Sequence, residues 1–145
     1  MADAPHDILG KEFVRFELHV TRQRLLDYAA LMGITHPIYV DPAAARARGY
    51  RDIIAMPTFL VADAAAPLVP PEMPFQGGGL NAGYDCTFDR VVYPGDTLTY
   101  STCIAETYDK TGRSGVMHFV VRQTTVTNQR GERVALIRNP FILRW

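Results

Sequence analysis

Residues 57–69 read Pro-Thr-Phe-Leu-Val-Ala-Asp-Ala-Ala-Ala-Pro-Leu-Val. Pro57 suits the first turn of a helix, where a backbone N–H has no intrahelical partner to lose. The segment is apolar nearly all round, which outside a membrane marks a helix buried on every side. Pro67 ends or kinks it. A helix of this kind needs a sheet to wrap it, and the rest of the chain supplies one. Tyr84–Val92, Thr97–Tyr108, Val116–Asn128 and Arg133–Leu143 read as antiparallel strands. Turns at Tyr93–Asp96, Lys110–Gly115 and Asn128–Gly131 separate them. The third run is rich in Val and Thr, as strands are. Pro140 cannot donate to a ladder, so the last strand is an edge there or carries a bulge. The expected architecture is α+β, a curved antiparallel sheet wrapped around one apolar helix at about residues 57–69.

Upstream the pattern is mostly helical. Glu12–Val20 alternates imperfectly and reads as a strand. Thr21 caps a helix through Met32, with Leu25, Tyr28, Ala29 and Met32 on one face and Gly33 as the stop. Asp41 and Pro42 start a short helix over Ala43–Arg48. Pro70–Gly79 reads as a loop, its three glycines as flexible connection; no Lys-Ser/Thr follows them, so they are a weak phosphate cradle. Nothing repeats, and residues 1–145 read as a single domain.

Composition narrows the function classes. Apolar residues are 48% and charged residues 21%, which is globular, not disordered. Fifteen Lys and Arg balance fifteen Asp and Glu, so there is no basic footprint for nucleic acid or a membrane surface. No run approaches the ~18 apolar residues of a transmembrane helix. The N-terminus shows no signal-peptide pattern, and two cysteines fit a reducing cytoplasm. Cys86 and Cys103 are expected as free thiols. A two-residue hairpin at Pro94-Gly95 would set them face to face and open a cross-strand disulfide. No P-loop, nucleophile elbow or zinc-protease motif is present, and no metal or cofactor is expected.

One stretch is more specific. Gly33-Ile-Thr-His-Pro-Ile-Tyr-Val-Asp41, followed by Ala43–Gly49, Ile53–Ala55 and Pro57–Phe59, resembles the MaoC-like hot-dog dehydratases. Leu80–Gly83, Phe88–Asp96, Gly112–Gly115 and Thr125–Glu132 resemble the N-terminal, or FAS1-like dehydratase, branch of that family. The resemblance covers residues 10–143. It implies a hot-dog fold and hydration of a trans-2-enoyl thioester to the (R)-3-hydroxyacyl product, carried on CoA or acyl carrier protein. The family's active half reads Gly-Asp-x-Asn-Pro-x-His, whose Asp and His activate water and deliver its proton. Aligned on Gly33 and Pro37, the Asp position holds Ile34, the Asn position His36 and the His position Tyr39. Isoleucine moves no proton, and tyrosine, with a reference pKa of ~10, is a poor base. The family also starts its central helix with a glycine whose N–H binds the thioester oxygen. Pro57 stands there and has no N–H.

The resemblance therefore points to a degenerate half that shapes the acyl pocket beside a competent one. The exposed sheet edge also calls for pairing, with a second copy or a sister chain. Pro57, Thr58, Phe59, Asn81 and Arg113 are the implied substrate-binding positions, Arg113 because guanidinium and turn N–H groups suit a CoA phosphate. Arg90, Arg46, Arg48 and Arg51 offer the same chemistry. His36 and Asp63 are the fallback catalytic candidates. His118 reads as a strand residue without catalytic partners, and His6 and His19 have none in view. Three readings follow: the non-catalytic subunit of a heteromeric (R)-specific enoyl-CoA hydratase, inactive alone; a homodimeric acyl-CoA thioesterase using Asp63; and an acyl-CoA-binding module without turnover. An isolated hydratase using His36 or Tyr39 is a minor fourth.

Overall fold

The computed structural model describes residues 8–62, 67–73, 79–113 and 115–143. Strand β1 (Glu12–His19) leads to helices α1 (Arg22–Leu31), α2 (Pro37–Val40), α3 (Pro42–Ala47) and α4 (Pro57–Ala62). Strands β2 (Leu80–Asn81), β3 (Asp85–Phe88), β4 (Thr97–Gly112), β5 (Gly115–Thr127) and β6 (Arg133–Leu143) follow. All pair antiparallel in one six-stranded sheet of order β1-β4-β5-β6, with β2 and β3 both laid along the far side of β6.

The expected caps form. Thr21 accepts the Arg24 N–H at 3.1 Å. Asp41 accepts the Ala43 N–H at 2.9 Å, with Pro42 in the first turn. α4 buries Phe59 and Leu60 against Leu18, Leu98, Tyr100, Val126, Ala135 and Ile137. The Tyr100 hydroxyl donates to the Leu60 carbonyl at 3.2 Å, and the Phe16 ring stacks on Tyr100 at 4.6 Å. A second cluster joins Ile104, Val120, Phe141 and Leu143, with Leu68 and Val69 against it. Between the clusters lies a buried polar belt of Thr102, Thr124, Asn139 and Arg122. The two threonine hydroxyls share a bond of 2.8 Å, and the Arg122 guanidinium sits 5.8 Å from the centre of the Phe141 ring.

The sheet wrapped on an apolar helix is thus present, and its details correct the sequence reading in several places. The helix does not reach Val69: α4 is helical through Ala62, and residues 67–69 are not, as Pro67 dictates. Asp63 lies outside the described residues. The strand expected over Tyr84–Val92 is only Asp85–Phe88. After Asp89 the chain leaves the sheet, and the Val92 carbonyl accepts the Ala55 N–H at 2.9 Å. The hairpin at Pro94-Gly95 does not exist, because β5 and β6 stand between β4 and β3. Cys86 therefore faces Ile137 and Cys103 faces Gln123, the disulfide alternative falls, and both thiols are free. Finally, Gly79 is a packing position as well as a connector: a Cβ there would meet Leu68 at 2.6 Å and Leu143 at 3.1 Å.

At Pro140 β6 is neither an edge nor bulged itself, contrary to the sequence reading: it runs between β5 and the outer strand, and the irregularity falls on that outer strand. The Pro140 carbonyl accepts the Ala82 N–H at 2.9 Å, so its missing donor faces the outer side of β6, away from β5. There the outer strand is broken. Asn81 pairs with Phe141 and Asp85 with Arg138, so the outer strand has one residue more than β6 over the same stretch. The extra residue is a bulge at Gly83, whose φ of 122° suits glycine. The Asn139 amide closes the gap, donating to Asn81 Oδ1 at 3.0 Å and to the Gly83 carbonyl at 2.6 Å. No helix among the described residues is long and apolar enough to cross a membrane.

Candidate functional site

Beside the N-terminus of α4 lies a cavity of about 250 Å³. Tyr39, Ile54 and Ala55 form one wall, Pro57 and Leu60 the floor, and the segment Phe88–Val92 the other wall. Each wall has a local cause. α2 is capped by His36, whose Nδ1 accepts the Ile38 N–H at 3.4 Å, and this turn directs Tyr39 inward. The Ile54 N–H bonds the Ile38 carbonyl at 3.2 Å and holds α2 over the cavity. Asp52 anchors the approach to α4. Its carboxylate takes the Arg22 guanidinium at 2.5 Å and the Ile53 N–H at 2.8 Å, and Arg22 holds its carboxyl below the ordinary value.

The lining is apolar with a charged rim. Asp89 is bound by Arg133 at 2.7 Å, which lowers its carboxyl below the usual range. Arg90 lies 3.4 Å from Glu132. Beyond the rim, Arg51 stacks 4.3 Å above the Tyr93 ring and stands 3.6 Å from buried Asp96. Among the described lining residues, then, the only carboxylate is already engaged by a cation, and the only hydroxyl is that of Tyr39.

The structure brings Tyr39, Pro57 and Arg90 together on this cavity. The other sequence-derived candidates are dispersed. Ile34 is half-buried, and its N–H bonds the Ala29 carbonyl at the end of α1. His36 is exposed, and its ring meets the Tyr39 ring edgewise at 5.8 Å. Thr58 is exposed, whereas Phe59 is core and packs on Tyr28 at 5.4 Å. Asn81 belongs to the bulge that Asn139 closes. Arg113 is exposed at the tip of the long β4–β5 hairpin. His118 bonds Asp109 at 2.7 Å on the same hairpin, away from the cavity. Phe88, Val91, Ile54 and Leu60 were not singled out as lining. Phe88 and Val91 do fall within the family-like stretch Phe88–Asp96, the one signal that pointed to them.

A sheet curled on a short helix, with an apolar cavity at that helix's N-terminus, defines a hot-dog domain of the MaoC-like dehydratase type. The chain belongs to the FAS1-like dehydratase domain region family, whose model matches residues 7–137. A UPF0336 protein of Clavibacter michiganensis is 28% identical over 130 residues, covering 86% of this chain and 85% of the relative. Among solved structures, R-hydratase PhaJ1 from Pseudomonas aeruginosa superposes with a TM-score of 0.70 at 23% identity, covering 93% of this chain and 81% of that one. The HadBC (3R-hydroxyacyl-ACP dehydratase) complex from Mycobacterium tuberculosis gives 0.73 at 22% identity, covering 94% and 97%. At these identities the structural likenesses establish the fold.

Proposed function

We propose that this chain is the non-catalytic half of a heteromeric (R)-specific trans-2-enoyl-thioester hydratase, equally a 3-hydroxyacyl dehydratase. Its role is to shape the acyl pocket beside a sister subunit that carries the intact Asp and His. The thioester rides on CoA or acyl carrier protein. One observation carries the reading: the cavity at the N-terminus of α4 is lined by Tyr39 and Pro57 where the resemblance calls for a histidine base and an N–H oxyanion donor. Ile34, at the family's aspartate position, adds no proton-transfer group. The likeness to a two-component dehydratase complex supports the same arrangement. Arg90 at the rim, and Arg113 on the hairpin, are the proposed contacts for the carrier's phosphates.

The test is hydration of a short trans-2-enoyl-CoA, followed by loss of enoyl absorbance. The chain alone should show no turnover. Adding a sister subunit with the Gly-Asp-x-Asn-Pro-x-His motif should raise the rate at least tenfold over that sister alone. Robust turnover by this chain alone overturns the reading. Thioester cleavage by the chain alone, abolished by Asp63→Asn, replaces it with the thioesterase.

A further inference from the structure

The outer wall of the cavity, Phe88–Val92, is joined by charged side chains to the turn between β5 and β6. Three guanidinium groups, of Arg90, Arg130 and Arg133, meet two carboxylates, of Asp89 and Glu132. One positive charge is therefore in surplus, and the distances show which. Arg133 spans both oxygens of Asp89, at 2.7 and 3.4 Å. Glu132 Oε2 accepts from Arg130 Nε and from Asn128 Nδ2, each at 2.8 Å. Oε1 is left for Arg90, whose Nη2 stands 3.4 Å away, outside the usual range of an N–H···O bond. Among the described residues this is the one ion pair that Arg90 makes. Its side chain is 52% exposed at the cavity's rim.

The turn holds Glu132 without help from Arg90. Buried Asn128 accepts the Arg130 N–H at 3.0 Å and the Glu132 N–H at 3.1 Å through Oδ1. The Glu132 carboxylate is thus fixed by its own turn, and it keeps two donors on Oε2 when Arg90 leaves. Arg90 in turn gives up only a long, solvated contact, which is worth little.

We propose that Glu132 is a built-in competitor for the phosphate contact at Arg90: it holds the guanidinium while the site is empty and yields it to a phosphate of the pantetheine carrier. This rests on the reading above that Arg90 meets that phosphate. Phosphate oxygens accept from a guanidinium at about 2.7–2.9 Å, often two at once, which the contact with Oε1 does not match. After the exchange every charge has one partner. Asp89 keeps Arg133, Glu132 keeps Arg130, and Arg90 has the phosphate. A guanidinium held by Glu132 for part of the time binds an anion with its intrinsic affinity reduced by the fraction of time that it is free. Glu132 therefore weakens carrier binding, and its removal strengthens it.

Calorimetric titration of the full chain with CoA and with phosphopantetheine tests this without a sister subunit and without turnover. Glu132→Gln should bind about two- to fivefold more tightly than the wild type, the range that an exposed ion pair is worth. Damage to the turn would loosen binding instead. Arg90→Gln should bind more weakly, and adding Glu132→Gln to it should give no gain, because the group competed for is then gone. A gain with both probes assigns the phosphate they share; a gain with CoA alone assigns its nucleotide phosphates. In the wild type, CoA should shift the NMR signal of Arg90 Nε and leave that of Arg133 in place. Circular dichroism verifies each fold. Unchanged affinity in folded Glu132→Gln, or an equal gain in the Arg90→Gln background, overturns the proposal and leaves the carrier contact standing. An Arg90 signal that CoA does not move overturns the contact as well, while the hydration assay still decides the heteromer.

Discussion

α4 separates two surfaces built from the same kinds of side chain. Beneath it Leu98, Tyr100, Val126, Ala135 and Ile137 are fully buried, and the one phenol among them donates to a carbonyl. Beside it Tyr39, Pro57, Phe88 and Val91 are half-buried or exposed. Folding explains the first set: each side chain leaves water, and each polar group is paired. Folding does not explain the second. Exposed apolar residues that cluster around a cavity and along a sheet edge gain little from the fold, so their presence points to something that covers or fills them. The residues that stabilise the fold and those that line the cavity thus occupy different faces of one short helix.

The largest effect should come from the buried face. Leu98→Ala should cost about 2–5 kcal/mol, since a buried leucine loses both transfer energy and packing. Val91→Ala on the cavity wall should stay within about 0.5 kcal/mol. Urea unfolding of both variants, with unchanged slope, measures the contrast. Equal losses would erase the distinction drawn above.

Asn139 tests the boundary between the two regions. It sits in the buried belt, yet its amide ties down the bulge on the outer strand. Asn139→Ala leaves the Gly83 carbonyl without its donor and Asn81 Oδ1 with the Gly83 N–H alone, at a cost of about 1–3 kcal/mol. The loss should be local as well as global. Hydrogen exchange should speed up first at Ala82, whose N–H bonds the Pro140 carbonyl, and not at Tyr100 on the inner ladder. Uniform acceleration through β4 and β5 would mean that the bulge is part of the core.

What the sequence displayed, and what it hid, divides along the same line. The caps at Thr21 and Asp41 and the long strands β5 and β6 were legible, because caps and two-residue periodicity are local signals. β2 and α2 were not, being two and four residues long, too short for any period. α2 is moreover capped by His36, whose Nδ1 does the work usually given to Ser or Asp. The alternative that set Cys86 opposite Cys103 extrapolated from one turn, whereas Cys86 finds its partner 51 residues further on, at Ile137. In the site, Tyr39 and Pro57 were visible as departures from a motif. The Phe88–Val92 wall was not visible as lining, since its place depends on where the chain leaves an edge strand.

The smallest expected effect is electrostatic, and it belongs to the loops around the cavity. Arg22 lowers the Asp52 carboxyl, Arg133 lowers Asp89, and the Asn128 amide followed by Arg130 lowers Glu132. A carboxyl lowered by folding binds its proton more readily in the unfolded chain. Its contribution is therefore fully present above the ordinary carboxylate range and is lost as pH falls through the folded value. All three pairs are partly solvated, so the effect is modest and screened by salt. The urea midpoint of the wild type should be flat from about pH 8 to about pH 5 and fall below the ordinary Asp value of 3.8. Asp52→Asn keeps the acceptor for the Ile53 N–H and removes the charge, so it should shallow the acid limb and leave the plateau only slightly lower. Leu98→Ala should lower the whole curve without changing its shape. An acid limb that Asp52→Asn leaves untouched would place the titration elsewhere, and the division between a pH-insensitive core and a charged, pH-sensitive cavity rim would not hold.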